Sequence, residues 1–253
     1  MKPSFLNSEQ PLVTAMIQCS TPNECISKIE KSIKAGAEAI GIQAEKLKPE
    51  YRTTENLRKI FSACRSLPIY VTSYRSGYSE NYTDDQCAEL LLKCLDAGAT
   101  LFDVMGDLYD RSPQYELTTN PVAIEKQKTL IDKIHSLGGE VLMSSHTFKS
   151  TTVEENLMIA KGQTERGADI IKIVNCAESI DEVPEYLEAI LKIKAMTSKK
   201  LLFLVSGNGR IIRYIGPSFG VCMYLCVESY GSLDTPDQPL IRNIIDIRKN
   251  IRS

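Results

Sequence analysis

Short apolar runs alternate with stretches of helical periodicity along the chain. Leu12-Val13-Thr14-Ala15-Met16-Ile17 is apolar without a helical period, and Thr21-Pro22-Asn23-Glu24 follows as a capping box with proline in the first turn. A strand at 12–17 therefore hands over to a helix at 22–34. That helix runs out at Lys34-Ala35-Gly36, and Ala39-Ile40-Gly41-Ile42 opens the next strand almost at once. The same exchange recurs at Ala97-Gly98-Ala99, Leu137-Gly138-Gly139 and Arg166-Gly167-Ala168. A glycine closing each helix and a very short loop into each strand form an internal repeat.

Helix starts repeat in step with these ends. Thr83-Asp84-Asp85-Gln86, Thr152-Val153-Glu154-Glu155 and Ser179-Ile180-Asp181-Glu182 are capping boxes, and Asn120-Pro121 is a cap with a first-turn proline. The pattern predicts strands at 12–17, 39–43, 69–74, 101–105, 140–145, 170–174, 200–205 and 221–227. Helices are predicted at 22–34, 54–65, 83–96, 121–136, 153–166, 180–196, 209–215 and 238–250. Eight strand–helix pairs at about 32 residues each match an α/β protein of the (β/α)8 TIM-barrel class, one domain spanning 1–253. A doubly wound open sheet is the alternative. It calls for a glycine-rich phosphate turn after the first strand, where this chain has Gln18-Cys19-Ser20-Thr21.

Composition narrows the function. The 30 Lys and Arg nearly balance the 32 Asp and Glu for a net charge of -2, and no basic run is clustered, which argues against nucleic acid or an anionic membrane as partner. No stretch of about 18 apolar residues and no leader-like apolar run at Met1–Phe5 is present, so a cytoplasmic protein is expected. The cysteines at 19, 25, 64, 87, 94, 176, 222 and 226 include no C-x-x-C and read as reduced core residues. The two histidines, 135 and 146, show no zinc spacing, so no metal is expected.

Within this frame one residue stands out. Lys172 interrupts Ala168-Asp169-Ile170-Ile171-Lys172-Ile173-Val174, a run that otherwise reads as a buried strand. A strand-end lysine can snorkel to solvent. Enclosed instead, its desolvation favours the neutral amine, which is the form that attacks a ketone to make a Schiff base. Chemistry in this fold sits at the C-terminal ends of strands, where His146, Arg75 and Arg213 also fall. An amine beside an imidazole on the neighbouring strand suits imine formation followed by α-proton transfer, and the arginines suit a small carboxylate substrate. His135 lies inside a predicted outer helix and is set aside.

Ser144-Ser145-His146-Thr147-Phe148, Ala168-Asp169-Ile170-Ile171-Lys172-Ile173, Arg213-Tyr214-Ile215-Gly216 with Ser218-Phe219-Gly220, and Thr235-Pro236-Asp237-Gln238 resemble, in order and spacing, the motifs of type I 3-dehydroquinate dehydratases. The resemblance is clearest from about residue 140 to 250 and reaches more weakly to Arg75-Ser76. It implies a (β/α)8 barrel that needs no cofactor or metal. It also implies Lys172 as Schiff-base lysine, His146 as general acid and base, Arg213 as carboxylate ligand, and Arg75 and Gln238 as further substrate-positioning groups. The reaction implied is dehydration of 3-dehydroquinate to 3-dehydroshikimate in aromatic amino-acid biosynthesis.

Three places depart from the family pattern. Its Glu-x-Arg at the end of the second strand is Gln43-Ala44-Glu45 here, which makes Gln43 and Glu45 the candidate ring-contacting pair. The glutamate that orients the family's histidine is matched only by Glu80, one place late. The family's Ser-Ala-Pro-Gly-Gln loop reads Asp234-Thr235-Pro236-Asp237-Gln238. Two other functions therefore stay open: a Schiff-base lyase or aldolase acting on a different keto acid, and a catalytically degenerate binding barrel. The oligomeric state is not set by sequence, and a homodimer is among the options.

Overall fold

Eight strands and eight helices alternate through residues 3–251, the residues described by the computed structural model. The first two and last two positions of the expected 1–253 domain lie outside the described residues. The strands are β1 Leu12–Ile17, β2 Ala39–Gln43, β3 Ile69–Thr72, β4 Leu101–Met105, β5 Glu140–His146, β6 Ile170–Ala177, β7 Lys200–Gly207 and β8 Met223–Cys226. The helices are α1 Pro22–Lys34, α2 Thr54–Ser62, α3 Asp84–Ala97, α4 Pro121–Ser136, α5 Val153–Glu165, α6 Val183–Met196, α7 Ile212–Ile215 and α8 Ile241–Asn250. The sheet order is β7-β6-β5-β4-β3-β2-β1-β8, and a parallel bridge between Leu201 and Val221 sets β7 beside the segment entering β8. This is the (β/α)8 barrel expected from the repeat.

Local chemistry explains the element boundaries. Thr21, Thr83 and Thr152 each accept from the backbone of the third helical residue while Glu24, Gln86 and Glu155 reach back to the cap, and Ser179 with Glu182 does the same for the 3-10 turn before α6. Each such cap is worth about 1 kcal/mol. Gly36, Gly98, Gly138 and Gly167 all adopt left-handed φ values between 77° and 109°, as the repeated hand-off requires. Several boundaries differ from those predicted: α2 stops at Ser62, and β6 and β7 run on to Ala177 and Gly207. α7 ends at Ile215 before Gly216-Pro217 as predicted but shrinks to one turn because residues 208–211, after left-handed Gly207, form turns rather than helix, and α8 begins only after Pro239. β3 stops at Thr72 rather than 74, since the Tyr74 backbone N–H turns to the Glu45 carboxyl.

The chain forms two compact units. One holds residues 3–103, 134–140 and 225–251; the other holds 104–133 and 141–224. In the first, Phe5 packs edge-on against Tyr70 at 6.5 Å within a core that includes Ile17, Ile40, Ile42 and Phe102. In the second, Tyr186 and Phe203 lie 6.0 Å apart beside Ile171, Ile173, Met143 and Leu202. The expectation that all eight cysteines are reduced is corrected: Cys19, just past β1, and Cys25 in α1 form a disulfide. The Thr21-Pro22 turn folds α1 back on the strand end and brings their Cα atoms to 5.6 Å. The other six are free thiols, and burial raises Cys64, Cys94 and Cys222 to about 12.

Candidate active site

In the second unit, β5 and β6 pair in parallel with Ser144 opposite Lys172 and His146 opposite Val174. Paired residues of a parallel ladder share a face and alternate residues return to it, so Ser144, His146, Lys172 and Val174 line one side of the sheet. Lys172 is 4% exposed. With β6 running on to Ala177, Lys172 is the third of its eight residues rather than a strand-end group, and it is enclosed rather than snorkelling. Beside it, the Ser144 hydroxyl is buried with no hydrogen-bond partner among the described residues, a polar group that a bound molecule could satisfy. On the far side of β6, Arg213 is 5% exposed, and its Nε and Nη2 donate to Val205 O at 2.8 Å and Ser206 Oγ at 2.9 Å. Fixed in this way, the guanidinium is pre-set for an anion.

Sequence reasoning did not find the histidine's partner. His146 Nδ1 lies 2.5 Å from Glu116 Oε2, and the His146 backbone N–H donates to the same oxygen at 2.6 Å. Glu80, the sequence candidate, is exposed. Glu116 comes instead from the connection between β4 and α4, residues 106–120, where Tyr115 and Glu116 take positive φ values of 65° and 45°. Non-glycine residues hold that conformation only when their surroundings dictate it. Here Gly106 N–H donates to Ser144 O, and Thr118 N–H closes the loop on Gly106 O at 3.1 Å. A Cβ at Gly106 would lie 2.5 Å from Glu116 O, so only glycine lets the returning segment come this close. The sequence offered only a weak signal, length: at 15 residues this is the longest of the strand-to-helix connections, yet the one between β8 and α8 is nearly as long.

The remaining candidates lie in the first unit. Gln43 ends β2, half-buried. Glu45 is fully buried, and Thr72 Oγ1 donates to its carboxyl at 2.8 Å. Burial pushes its pKa up to about 7, against the lowering effect of hydrogen bonds from Thr72 and from the Glu45 and Tyr74 backbones. The acid at this position ties the end of β2 to the end of β3. Arg75 Nε pairs with Asp84 Oδ1 at 2.5 Å. Gln238 is buried, and its Oε1 has no partner among the described residues. Its loop is held by Lys28, which pairs with Asp234 at 3.1 Å, and by Tyr230 Oη donating to Gln238 O at 3.0 Å. Tyr70 and Tyr74 both donate to buried Asp103, and burial beside that carboxylate holds both phenols well above their usual range. Among the described residues no group of three or more His, Cys, Asp or Glu is placed to hold a metal.

A profile described as type I 3-dehydroquinase matches residues 13–251. The chain is similar to a 3-dehydroquinate dehydratase of Klebsiella pneumoniae subsp. pneumoniae, at 24% identity over 94% of this chain and 93% of that one. A 3-dehydroquinate dehydratase of Syntrophotalea carbinolica is 31% identical over 48% of this chain and 47% of its own. Among solved structures, 3-dehydroquinate dehydratase from Geobacillus kaustophilus superposes with a TM-score of 0.82 at 15% identity, covering 97% of this chain and 94% of that one. The type I enzyme from Clostridium difficile gives 0.80 at 19% identity, covering 96% and 92%.

Proposed function

The chain belongs to the type I 3-dehydroquinase family, and from that premise we propose that it is a 3-dehydroquinate dehydratase, a hydro-lyase, working through a Schiff base on Lys172. The Lys172 amine adds to the substrate ketone and one water leaves as the iminium forms. The iminium acidifies the adjacent C–H, and His146 takes that proton. His146 then returns a proton to the departing hydroxyl, which leaves as a second water and creates the conjugated double bond. Hydrolysis of the imine restores the amine and releases 3-dehydroshikimate. Arg213 is assigned to the substrate carboxylate, and Arg75, Gln43, Glu45 and Gln238 to positioning the ring and its hydroxyls.

The observation that carries this reading is the shared face of β5 and β6: an enclosed amine and a carboxylate-held imidazole stand on neighbouring strands, two residues apart in register. Borohydride reduction during turnover of 3-dehydroquinate, followed by mass mapping, tests it. One substrate-derived adduct on Lys172 is expected, together with growth of the conjugated-enoate absorbance without borohydride. An adduct on another lysine, or none, sinks the reading.

A different keto acid is the second reading, favoured by Gln43 and Glu45 standing where the resemblance leads one to expect an acid and an arginine. We further infer one catalytic domain over 1–253, a cytoplasmic setting and a homodimer; among the described residues no helix is long and apolar enough to cross a membrane.

A further inference from the structure

Gln163 is fully buried on α5, yet its amide spends its hydrogen bonds on the strand below. Gln163 Oε1 accepts from the Lys172 backbone N–H at 3.0 Å, and Gln163 Nε2 donates to the Lys172 carbonyl at 3.0 Å. A second bond from the same Nε2 reaches Ser145 Oγ at 3.0 Å. Both amide protons and one carbonyl lone pair are thus used. The Ser145 hydroxyl donates onward to the Glu116 carbonyl at 3.2 Å, and the Glu116 carboxylate holds His146 through both its ring and its backbone. An unbroken run of hydrogen bonds therefore links Lys172 to His146 through three residues from α5, β5 and the β4–α4 loop.

The end of α5 also grips that loop. Arg166, three residues after Gln163, is 6% exposed and donates to Gly106 O at 2.7 Å, Gln127 Oε1 at 2.9 Å and Thr118 O at 2.5 Å. Gln127 Nε2 in turn donates to Gly106 O at 3.0 Å and Leu108 O at 2.8 Å. One helix terminus thus fixes the strand bearing the lysine and the segment bearing the histidine's acid. An amide buried here costs free energy unless every bond is made, and a leucine or methionine that filled the space would take these bonds from the Lys172 main chain and Ser145. Hydrophobic packing does not require a glutamine at this position.

The geometry points to Gln163 as a positioning residue for the proposed Schiff-base reaction, acting with Ser145 to set the lysine's main chain against the imidazole's support. This rests on the reading of Lys172 and His146 as the reacting pair. Proton transfer depends more steeply on that spacing than substrate capture does, so the effect belongs in kcat.

The test compares Gln163→Met, Ser145→Ala, Glu116→Gln and the Gln163→Met, Glu116→Gln double variant, with rates expressed per folded molecule. Gln163→Met is expected to lower kcat roughly 10- to 100-fold with KM within about threefold, while borohydride still adds substrate mass at Lys172. Ser145→Ala, which deletes one hydroxyl and spares the packing, is expected to lose about fivefold in kcat and keeps the test alive if Gln163→Met does not fold. The double variant should fall within about threefold of the worse single variant, since both interrupt one run of bonds. A Gln163→Met or Ser145→Ala protein with kcat within twofold of wild type, or losses that simply multiply in the double variant, overturns the positioning role while leaving the Schiff-base reading standing. Absence of any adduct in the wild type overturns both.

Discussion

Glu116 Oε2 accepts the backbone N–H of His146 at 2.6 Å and meets its Nδ1 at 2.5 Å, so a single carboxylate oxygen fixes both the strand end and the ring of one residue. The ring is thereby held through Nδ1. Glu116→Gln keeps the volume but offers a neutral oxygen or an N–H in place of the anion. Turnover is expected to fall roughly 10- to 1000-fold with little change in substrate affinity, measured as a kcat against KM split.

Lys172 and His146 should separate cleanly by adduct chemistry. Lys172→Ala is expected to bind the substrate or product and give no reduced adduct. His146→Ala should still form some imine, and borohydride should trap it, with turnover lower by at least about 10² to 10⁴. Near wild-type turnover in His146→Ala would remove the imidazole from the mechanism.

At Gly106 the backbone itself is under test. An added Cβ would sit 2.5 Å from Glu116 O and 3.0 Å from Ser144 O, both main-chain atoms that cannot swing aside. Gly106→Ala should therefore displace the Glu116 segment, costing roughly 10- to 100-fold in kcat and about 1–3 kcal/mol in stability by denaturant titration. A fully active alanine variant would show that the segment tolerates a shift.

Glu45 makes a pH prediction of definite sign. Its carboxyl holds a proton up to about 7 when folded and releases it near 4.5 when unfolded, so the folded state binds more protons between those values. Its contribution is fully present below pH 4.5 and is lost as pH rises toward 7, reaching about 2–4 kcal/mol at alkaline pH. Glu45→Gln should remove that slope from the difference in unfolding free energy against wild type. The double variant Gln43→Glu, Glu45→Arg, which restores an acid-x-arginine pattern, should fold poorly, because a guanidinium would meet the Thr72 and Tyr74 donors that now serve a carboxyl.

The thiol count is a simpler check. Unfolded without reductant, the protein should titrate six thiols, and eight after reduction, because Cys19 and Cys25 are joined. Eight in both conditions would show the pair reduced.

What the sequence disclosed was what local chemistry controls. Thr21, Thr83 and Thr152 announce helix starts by spacing alone, and Gly36, Gly98, Gly138 and Gly167 announce the ends, so the strand positions follow and Lys172 and His146 fall on neighbouring strands. Glu116 was hidden because its placement depends on left-handed backbone at Tyr115 and Glu116, residues that carry no local preference for it. Gln163 reads as an ordinary polar position on a helix; only the tertiary packing of α5 against β6 turns its amide toward Lys172. Glu45 reads as a substrate contact by analogy, and the bond from Thr72 to its carboxyl carried no sequence signal.

The bond from Thr118 N–H to Gly106 O means that the loop carrying the acid leaves and re-enters the fold at almost the same point. Such a loop is a detachable module. Tyr109 and Asp110 are engaged by Lys126 and Thr118, so the stretch that can lengthen, shorten or change without pulling on β4 or α4 is residues 111–114. Glu116 lies inside the closure, two residues before Thr118, where such changes are felt least. The chain can therefore vary its rim freely while the group that steadies the imidazole keeps its place.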